Sequence, residues 1–396
     1  MMKRRQFLSS VAAGLVGAGI PALSRAATTP CMPPSLALDG GIETATTACA
    51  QVNAPAYIAG MAPFSVLAMT GSYAPTNGTS TLESVMPSMW LTGGDANDDI
   101  MRPWSGGPKL TNGSRLWVHG GGHADSRNNS IAYFDFAGSS APTGWVMANG
   151  GNLNDTPVSV HTYGGMCEVN GSIYRFGGAT YSNGNFTNQL WRFSISSGTW
   201  TAMASGPFAT GGALIGNTTA GTSGKLLAIG RYGGAYTSYA FYDIASNSWT
   251  GENSAPNQWP SNPECAYRPT TSTTGTVLVG GGDGAFTAAV DWSAGTLSSQ
   301  TSRSVGAVSS EDGPAVFYDP ASDRYWALGG TSYDALLEIN PSTYAVTSHP
   351  LTGTTLTNNE SSGYVAHFGR FVFMPTFRAM GVVFSRVGSA FVIRLP

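Results

Sequence analysis

Histidine, tyrosine and arginine residues follow short apolar segments at several points of this chain. His123 and His161 carry imidazoles that can take or give a proton near neutral pH, and Tyr232 carries a phenol that can do the same when activated. Arginine can neutralise a carboxylate through two parallel hydrogen bonds. Together these groups could carry out β-elimination on a uronate. In that reaction the carboxylate is neutralised, the C5 proton is removed and the departing glycosidic oxygen is protonated.

On this chemistry, the predicted catalytic residues are His123, His161 and Tyr232. The predicted substrate-binding residues supply charge or hydrogen bonds, and they are Arg231, Arg268, Tyr181, Glu264, Glu360 and Arg378. Hydrolysis by paired carboxylates is the alternative chemistry. Its candidates are Glu264, Glu311, Asp312 and Glu360. No spacing motif decides between the two reactions, so both stay open.

The segment HGGGH invites a metal-binding interpretation, because imidazole is a common metal ligand. Three glycines between two histidines do not form a helix, so this is not a helical zinc motif. We expect His119 to be a packed, hydrogen-bonded strand residue and His123 to lie in the following loop. A third ligand could come from His161, Asp125 or Glu360. We predict no metal ligands, and the β-elimination chemistry requires no cofactor.

Paired glycines recur between apolar strands along most of the chain. The second glycine of each pair is Gly122, Gly178, Gly234, Gly282 or Gly330, and Pro375 takes its place in a final copy. The intervals are 56, 56, 48, 48 and 45 residues. A regular period of about 50 residues predicts an all-β propeller, in which each copy is one blade. We count six blades and keep seven as the alternative, because another blade could lie in residues 50–100.

The repeat resembles the kelch family: a strand, a Gly-Gly pair, a loop, a Tyr-Asp-type strand and then a tryptophan. Trp145, Trp200 and Trp249 supply that tryptophan in the first three copies. The resemblance covers about residues 100–396 and implies a kelch-type propeller, a fold shared by many functions. Galactose-oxidase-like copper enzymes use the same fold. Their Tyr-His ligand pair and cysteine cross-link are missing here.

The final copy ends on FVIRL, its third strand, so the ring needs a fourth strand from elsewhere to avoid an open edge. The segment FSVLAMT, residues 64–70, is the first good strand of the chain. We predict that this N-terminal strand closes the ring. The predicted organisation is an irregular arm at 27–61 and a single propeller domain at 62–396.

The first 26 residues have the features of an export signal. RRQFL resembles the twin-arginine export motif, an apolar stretch follows, and SRA ends at Ala26. The remaining chain carries 15 basic and 22 acidic residues, a net charge of −7. This charge disfavours binding to nucleic acid or to an anionic membrane. We expect a periplasmic or secreted protein.

All four cysteines lie beyond this signal, and an oxidising compartment permits disulfides. Cys31 and Cys49 are the plausible pair, since both lie in the irregular arm. Cys167 and Cys265 fall in predicted inner strands, where we expect buried thiols.

The ionisable residues gather in loops that share one face of a propeller. In residue types this face is similar to that of propeller polysaccharide lyases. The sequence therefore predicts an exported, monomeric, carbohydrate-active enzyme that cleaves an acidic polysaccharide or oligosaccharide by β-elimination. The alternatives are a non-catalytic kelch module that binds glycan or protein, and a glycoside hydrolase on the same fold.

Overall fold

The structure, a computed structural model, describes most of the chain beyond residue 53. The described residues are 54–69, 82, 85–90, 100, 104–109, 113–121, 126–137, 144–218, 224–230, 237–310, 312–329, 333–356, 367–384 and 389–396. The predicted export signal and the Cys31–Cys49 pair lie outside these residues.

Six small sheets form a ring, and the protein is a six-bladed β-propeller. The closing strand and blade 1 contain β1 (Ser65–Ala68), β2 (Arg115–His119), β3 (Ile131–Asp135) and β4 (Gly144–Asn149). Blade 2 contains β5 (Val160–His161), β6 (Met166–Val169), β7 (Ser172–Phe176), β8 (Ala179–Thr180), β9 (Leu190–Ser194) and β10 (Thr199–Ala202). Blade 3 contains β11 (Ala213–Asn217), β12 (Lys225–Ile229), β13 (Ser238–Asp243), β14 (Ser248–Trp249) and β15 (Asn253–Ser254).

The second half of the ring repeats this arrangement. Blade 4 contains β16 (Glu264–Pro269), β17 (Thr274–Gly281), β18 (Gly284–Asp291), β19 (Thr296–Leu297) and β20 (Thr301–Arg303). Blade 5 contains β21 (Val316–Asp319), β22 (Arg324–Gly329), β23 (Ala335–Ile339) and β24 (Val346–Pro350). Blade 6 contains β25 (Thr352–Gly353), β26 (Phe371–Met374), β27 (Ala379–Val383) and β28 (Ala390–Arg394). The described helices are α1 (Ala56–Ala59) and the 3-10 turns Ser88–Trp90, Gly306–Ser309 and Pro375–Phe377.

The prediction that an N-terminal strand closes the ring is confirmed. β1 pairs antiparallel with β28, with Val66 opposite Ile393 and Ala68 opposite Phe391. The strand order in this sheet is β25, β1, β28, β27, β26, so β1 supplies the fourth strand of blade 6. Backbone hydrogen bonds extend the pairing at both ends: the Phe64 amide donates to the Arg394 carbonyl, and the Met69 amide donates to the Ala390 carbonyl. This pairing covers the edge that β28 would otherwise expose.

Each blade has an inner strand at the axis and successive strands running outward. We call upper the face that carries the loops between second and third strands and the segments leading into the inner strands. The lower face carries the turns between first and second strands. In blade 1 the innermost segment is residues 106–109, which bridges to β2 at His119 and to β6 at Cys167. The hydrophobic core lies between neighbouring blades, as between β6 and β11.

The last blade is shifted by one strand from the predicted register. β26 is the inner strand and β27 the second, so Pro375 follows the first strand rather than the second. The prediction that Arg378 lies in an upper loop is therefore wrong, because this residue occupies a lower turn. Its guanidinium donates to Asp319 Oδ2 at 2.6 Å and to the Pro396 carbonyl. The error arose because this copy has no glycine pair to mark the end of its second strand.

Candidate functional site

Residues with left-handed backbone surround the upper end of the axis. Trp104, Tyr163, Asn262 and Phe368 have φ values of 63°, 48°, 46° and 36°, just ahead of the inner strands of four blades, and Gly313 has a φ of 52° in a fifth blade. Bulky side chains rarely adopt this conformation. Backbone hydrogen bonds between blades hold it: the Tyr163 amide donates to the Trp104 carbonyl and the Phe368 amide to the Gly313 carbonyl. These backbone hydrogen bonds between neighbouring blades therefore fix the positions of the side chains at the upper end of the axis.

Close backbone approach explains one of the glycines at this end. A Cβ on Gly106 would lie 1.5 Å from the carbonyl oxygen of Phe368, so no other residue fits between blades 6 and 1. The Gly107 amide donates to the same carbonyl at 3.0 Å. The glycines thus let the two blades join directly beside the axis.

Five rings form an aromatic cluster over blades 6, 1 and 2. His161 lies 5.4 Å from Trp104 and 6.0 Å from Tyr163, measured between ring centroids. Tyr163 in turn stacks on Phe186 and meets Phe368 edge-on. His161, predicted as catalytic, is fully buried in this cluster, whereas Trp104 and Phe186 are partly exposed. The exposed rings offer an apolar surface of the kind on which sugar rings stack.

A polar cluster of Arg127, Asp155 and Tyr181 lies on the same face. Arg127 binds both carboxylate oxygens of Asp155, through Nε at 3.0 Å and Nη2 at 3.2 Å. The Tyr181 hydroxyl donates to Asp155 Oδ2 at 2.8 Å, and the Arg127 guanidinium lies 5.7 Å from the Tyr181 ring. Burial and the hydrogen bond to Asp155 raise the pKa of Tyr181, so the phenol keeps its proton. Arg127 is 40% exposed and accessible to a ligand.

A two-stranded sheet connects the polar cluster to the aromatic cluster. β5 pairs antiparallel with β8, which places His161 opposite Ala179. The next residues extend the pairing, because the Tyr181 amide donates to the Ser159 carbonyl at 3.0 Å. His161 lies on β5 and Tyr181 directly follows β8, so this two-stranded sheet brings both residues to the upper end of blade 2.

Glu264, predicted to bind substrate, is instead part of a buried axial group. Its Oε1 lies 2.5 Å from the Lys109 ammonium, and the carboxylate is fully buried. Lys109 Nζ also contacts Cys265 Sγ at 3.0 Å and donates to the carbonyls of Gly164 and Leu214. Burial would lower the pKa of Lys109, but Cys265 and Glu264 outweigh it and raise that pKa. The ammonium thus joins the inner edges of blades 2, 3 and 4.

Arg268 lies at the other end of the inner strand. Glu264 opens β16 and Arg268 is its fifth residue, about 13 Å further along at 3.3 Å per residue. Arg268 binds Asp323 through Nε at 2.7 Å and Nη2 at 2.9 Å, and Asp323 lies in the lower turn before β22. The expectation that Arg268 lies in a loop of the shared face is therefore wrong, because this arginine is the fifth residue of the inner strand and lies near its lower end.

Four of the predicted site residues, His123, Tyr232, Arg231 and Glu360, lie outside the described residues. Of the others, His161 and Tyr181 are brought close together. Glu264 is held by Lys109, while Arg268 and Arg378 face the opposite side.

Two predictions about individual side chains are confirmed. His119 is a buried strand residue whose Nδ1 lies 2.8 Å from the Ser130 carbonyl oxygen. Cys167 and Cys265 are buried free thiols in inner strands β6 and β16.

Sequence reasoning did not select Lys109, Asp155 or Arg127 as site residues. One clue to Lys109 was available, since only two lysines, Lys109 and Lys225, occur beyond residue 26. Asp155 carried no such clue, because it lies in an irregular segment and its role depends on contacts with two other loops.

Within the described part of the chain, no group of three or more His, Cys, Asp or Glu side chains is placed to hold a metal ion. The same residues include no helix long and apolar enough to cross a membrane. No protein-family model matches the sequence, and a search of curated proteins finds no match.

Proposed function

We propose that this protein is an exported, kelch-type propeller enzyme that cleaves a uronate-containing polysaccharide by β-elimination. The reaction would take place on the upper face, over blades 1 and 2. One observation supports this site most directly: an accessible arginine and a protonated tyrosine share one carboxylate there, beside the aromatic cluster. The glycine and tryptophan pattern supports the kelch assignment, and RRQFL supports export.

Arg127 is suited to hold the uronate carboxylate. It contacts Asp155 through Nε and Nη2, which leaves Nη1 for a ligand. Neutralising the carboxylate makes the C5 proton more acidic. Arg268 and Arg378, which the sequence predicted for substrate binding, lie on the lower face with Asp323 and Asp319, away from the aromatic cluster. Arg231 remains a second candidate for the clamp.

Tyr181 is suited to the role of general acid. A phenol carries its proton at neutral pH, so the Tyr181 hydroxyl can deliver that proton to the departing oxygen. The base, with His123 as its candidate, takes the proton from C5. The C5–H electron pair forms the C4–C5 double bond, the C4–O bond breaks, and the Tyr181 proton goes to the released oxygen. Asp155 positions Tyr181 and Arg127 through their shared hydrogen bonds.

Hydrolysis by paired carboxylates has less support. Glu264 is fully buried and bound to Lys109, so it cannot act on a glycosidic bond from its present position. Glu311 and Glu360 lie outside the described residues. A non-catalytic glycan-binding module is the second candidate function, because exposed aromatic rings beside an arginine also suit binding alone.

The test is incubation of the mature protein with a panel of uronate-containing polysaccharides. Elimination creates a C4–C5 double bond, which we expect to detect as rising ultraviolet absorbance. New reducing ends without that absorbance would show hydrolysis and overturn the proposal. Binding without either product would show a non-catalytic module.

A further inference from the structure

Arg175 is a charged residue buried between blades 1 and 2. It lies on β7, opposite Met166 of the inner strand and Trp191 of β9, and its side chain is fully buried. Met166 and the neighbouring Ile173 pack against Trp117 of blade 1, so this side of the sheet faces the interface between the two blades. A guanidinium is thus enclosed in a mainly apolar interface.

The contacts of Arg175 leave most of its hydrogen-bond donors unused. Nη1 donates to the Val158 carbonyl at 2.7 Å and lies 3.3 Å from His119 Nε2. Nε and Nη2 are buried and have no hydrogen-bond partner in the part of the chain that the structure describes. No carboxylate among the described residues forms an ion pair with this guanidinium.

His119 cannot balance the charge of Arg175. Its Nδ1 lies 2.8 Å from the Ser130 carbonyl oxygen, so Nδ1 carries the proton and Nε2 accepts from Arg175. Burial and the nearby Arg175 lower the pKa of His119 to about 3, which keeps the imidazole neutral. Trp200, whose ring centroid lies 4.8 Å from that of His119, adds a further buried donor, Nε1, which also has no partner among the described residues.

A buried cation without a counter-ion is strongly unfavourable, because desolvation costs several kcal/mol per ion. Burial lowers the pKa of Arg175 to about 9, yet the guanidinium still carries its charge at neutral pH. The protein supplies unpaired donors and net positive charge at this place. Among the described side chains, what is missing here is a negatively charged group that accepts hydrogen bonds from Arg175.

We propose that a small inorganic anion of the halide type, with chloride as the probe, binds between blades 1 and 2 against Nε and Nη2 of Arg175. The site would join the two blades that carry the polar and aromatic clusters. Because Arg175 is fully buried, the carboxylate of a polysaccharide cannot reach it without the blades separating. The anion is therefore a structural ligand, distinct from the proposed substrate and independent of the proposed reaction.

The first test is urea unfolding of the mature protein at constant ionic strength, with chloride replaced stepwise by gluconate. Above the dissociation constant, the ratio of folded to unfolded protein should rise about tenfold for each tenfold increase in chloride, because only the folded state binds. Arg175→Met should remove this dependence. Arg115→Met, which removes a 43% exposed arginine in blade 1, should keep it.

A second test does not require the variant to fold. Crystals of the unaltered protein grown in bromide should show an anomalous scattering peak within hydrogen-bonding distance of Arg175 Nε and Nη2. Wild-type stability independent of chloride together with no bromide peak would mean that water occupies the site, and it would overturn the proposal. Chloride dependence that persists in a folded Arg175→Met variant would overturn this location.

Discussion

Arginines on the two faces of the propeller are paired with aspartates but differ in how exposed they are. On the lower face Arg378 binds the buried carboxylate of Asp319 at 2.6 Å, and Arg268 binds Asp323 through two nitrogens. Both pairs join one blade to the next: Arg378 of blade 6 to blade 5, and Arg268 of blade 4 to blade 5. The lower arginines therefore link neighbouring blades, and Asp323 also accepts a hydrogen bond from the Tyr318 hydroxyl, as Asp155 does from Tyr181.

On the upper face Arg127 is more exposed than these two arginines, with 40% of its side chain accessible against 25% for Arg268 and 9% for Arg378. It also lies on the face that carries the partly exposed rings of Trp104 and Phe186. The greater exposure of Arg127 supports the upper face as the place where the proposed substrate binds. Three substitutions test this comparison.

The largest effect is expected on the upper face. Tyr181→Phe removes the proposed acid, so turnover on a confirmed substrate should fall about 10²–10⁴-fold. The melting temperature should stay close to that of the wild type, because Tyr181 lies in a surface loop and only its hydroxyl is lost. Initial rates of double-bond formation and a thermal melt measure the two quantities.

Tyr344→Phe is the matched control. Tyr344 also stands beside an arginine, with Arg303 4.0 Å from its ring, but it lies in the lower turn before β24. Its turnover should equal that of the wild type. Full activity in Tyr181→Phe would show that Tyr181 is not the general acid and would contradict the assignment of this role to the upper face.

Arg378→Met should give the reverse pattern on the lower face. It leaves the Asp319 carboxylate buried without its cation, which should cost about 3–5 kcal/mol of unfolding free energy. The left-handed φ of 48° at this position is equally unfavourable for arginine and methionine, so the backbone adds little to the change in stability. Urea unfolding measures the loss, and turnover of the folded fraction should be unchanged.

A second variant separates the charge effect from lost packing. Adding Asp319→Asn to Arg378→Met removes the uncompensated charge and should restore part of the stability. A single variant as stable as the wild type would show that the lower pair does not hold blades 5 and 6 together.

The fold could be predicted from local features, because glycines at a regular period mark the turns of each blade. The closing strand β1 was also predictable, since a ring with one three-stranded blade must borrow a strand. The last blade shows the limit: without its glycine pair, β26 resembled a second strand and Arg378 was placed on the wrong face. Strand order there depends on pairing partners far along the chain, which local sequence does not encode.

The candidate site was only partly predictable for the same reason. Tyr181 follows a glycine pair, so its loop position could be read from the repeat. Which acidic residue a loop arginine contacts depends on three-dimensional packing. Asp155 joins Arg127 and Tyr181 from a segment 26–28 residues away from each. Glu264 looked available in the sequence, but a lysine 155 residues earlier neutralises it.

The smallest effect is expected for Arg268→Met, which breaks the partly exposed pair with Asp323. Side-chain exposures of 25% and 47% allow water and salt to screen this pair, so the loss at neutral pH should be about 0.2–1 kcal/mol. The same pair should make stability depend on pH, because the hydrogen bond from Arg268 lowers the pKa of Asp323 below its usual value of 3.8. A carboxyl whose pKa is lower in the folded protein stabilises the fold at any pH above its unfolded pKa. That contribution is lost as the pH falls through the folded pKa. The stability difference between wild type and Arg268→Met should therefore be full at neutral pH and shrink toward zero below about pH 3. Urea unfolding across this range measures it, with turnover of the folded variant unchanged. A variant that loses activity at full stability would show that the lower face also meets the substrate, and the contrast between the faces would fail.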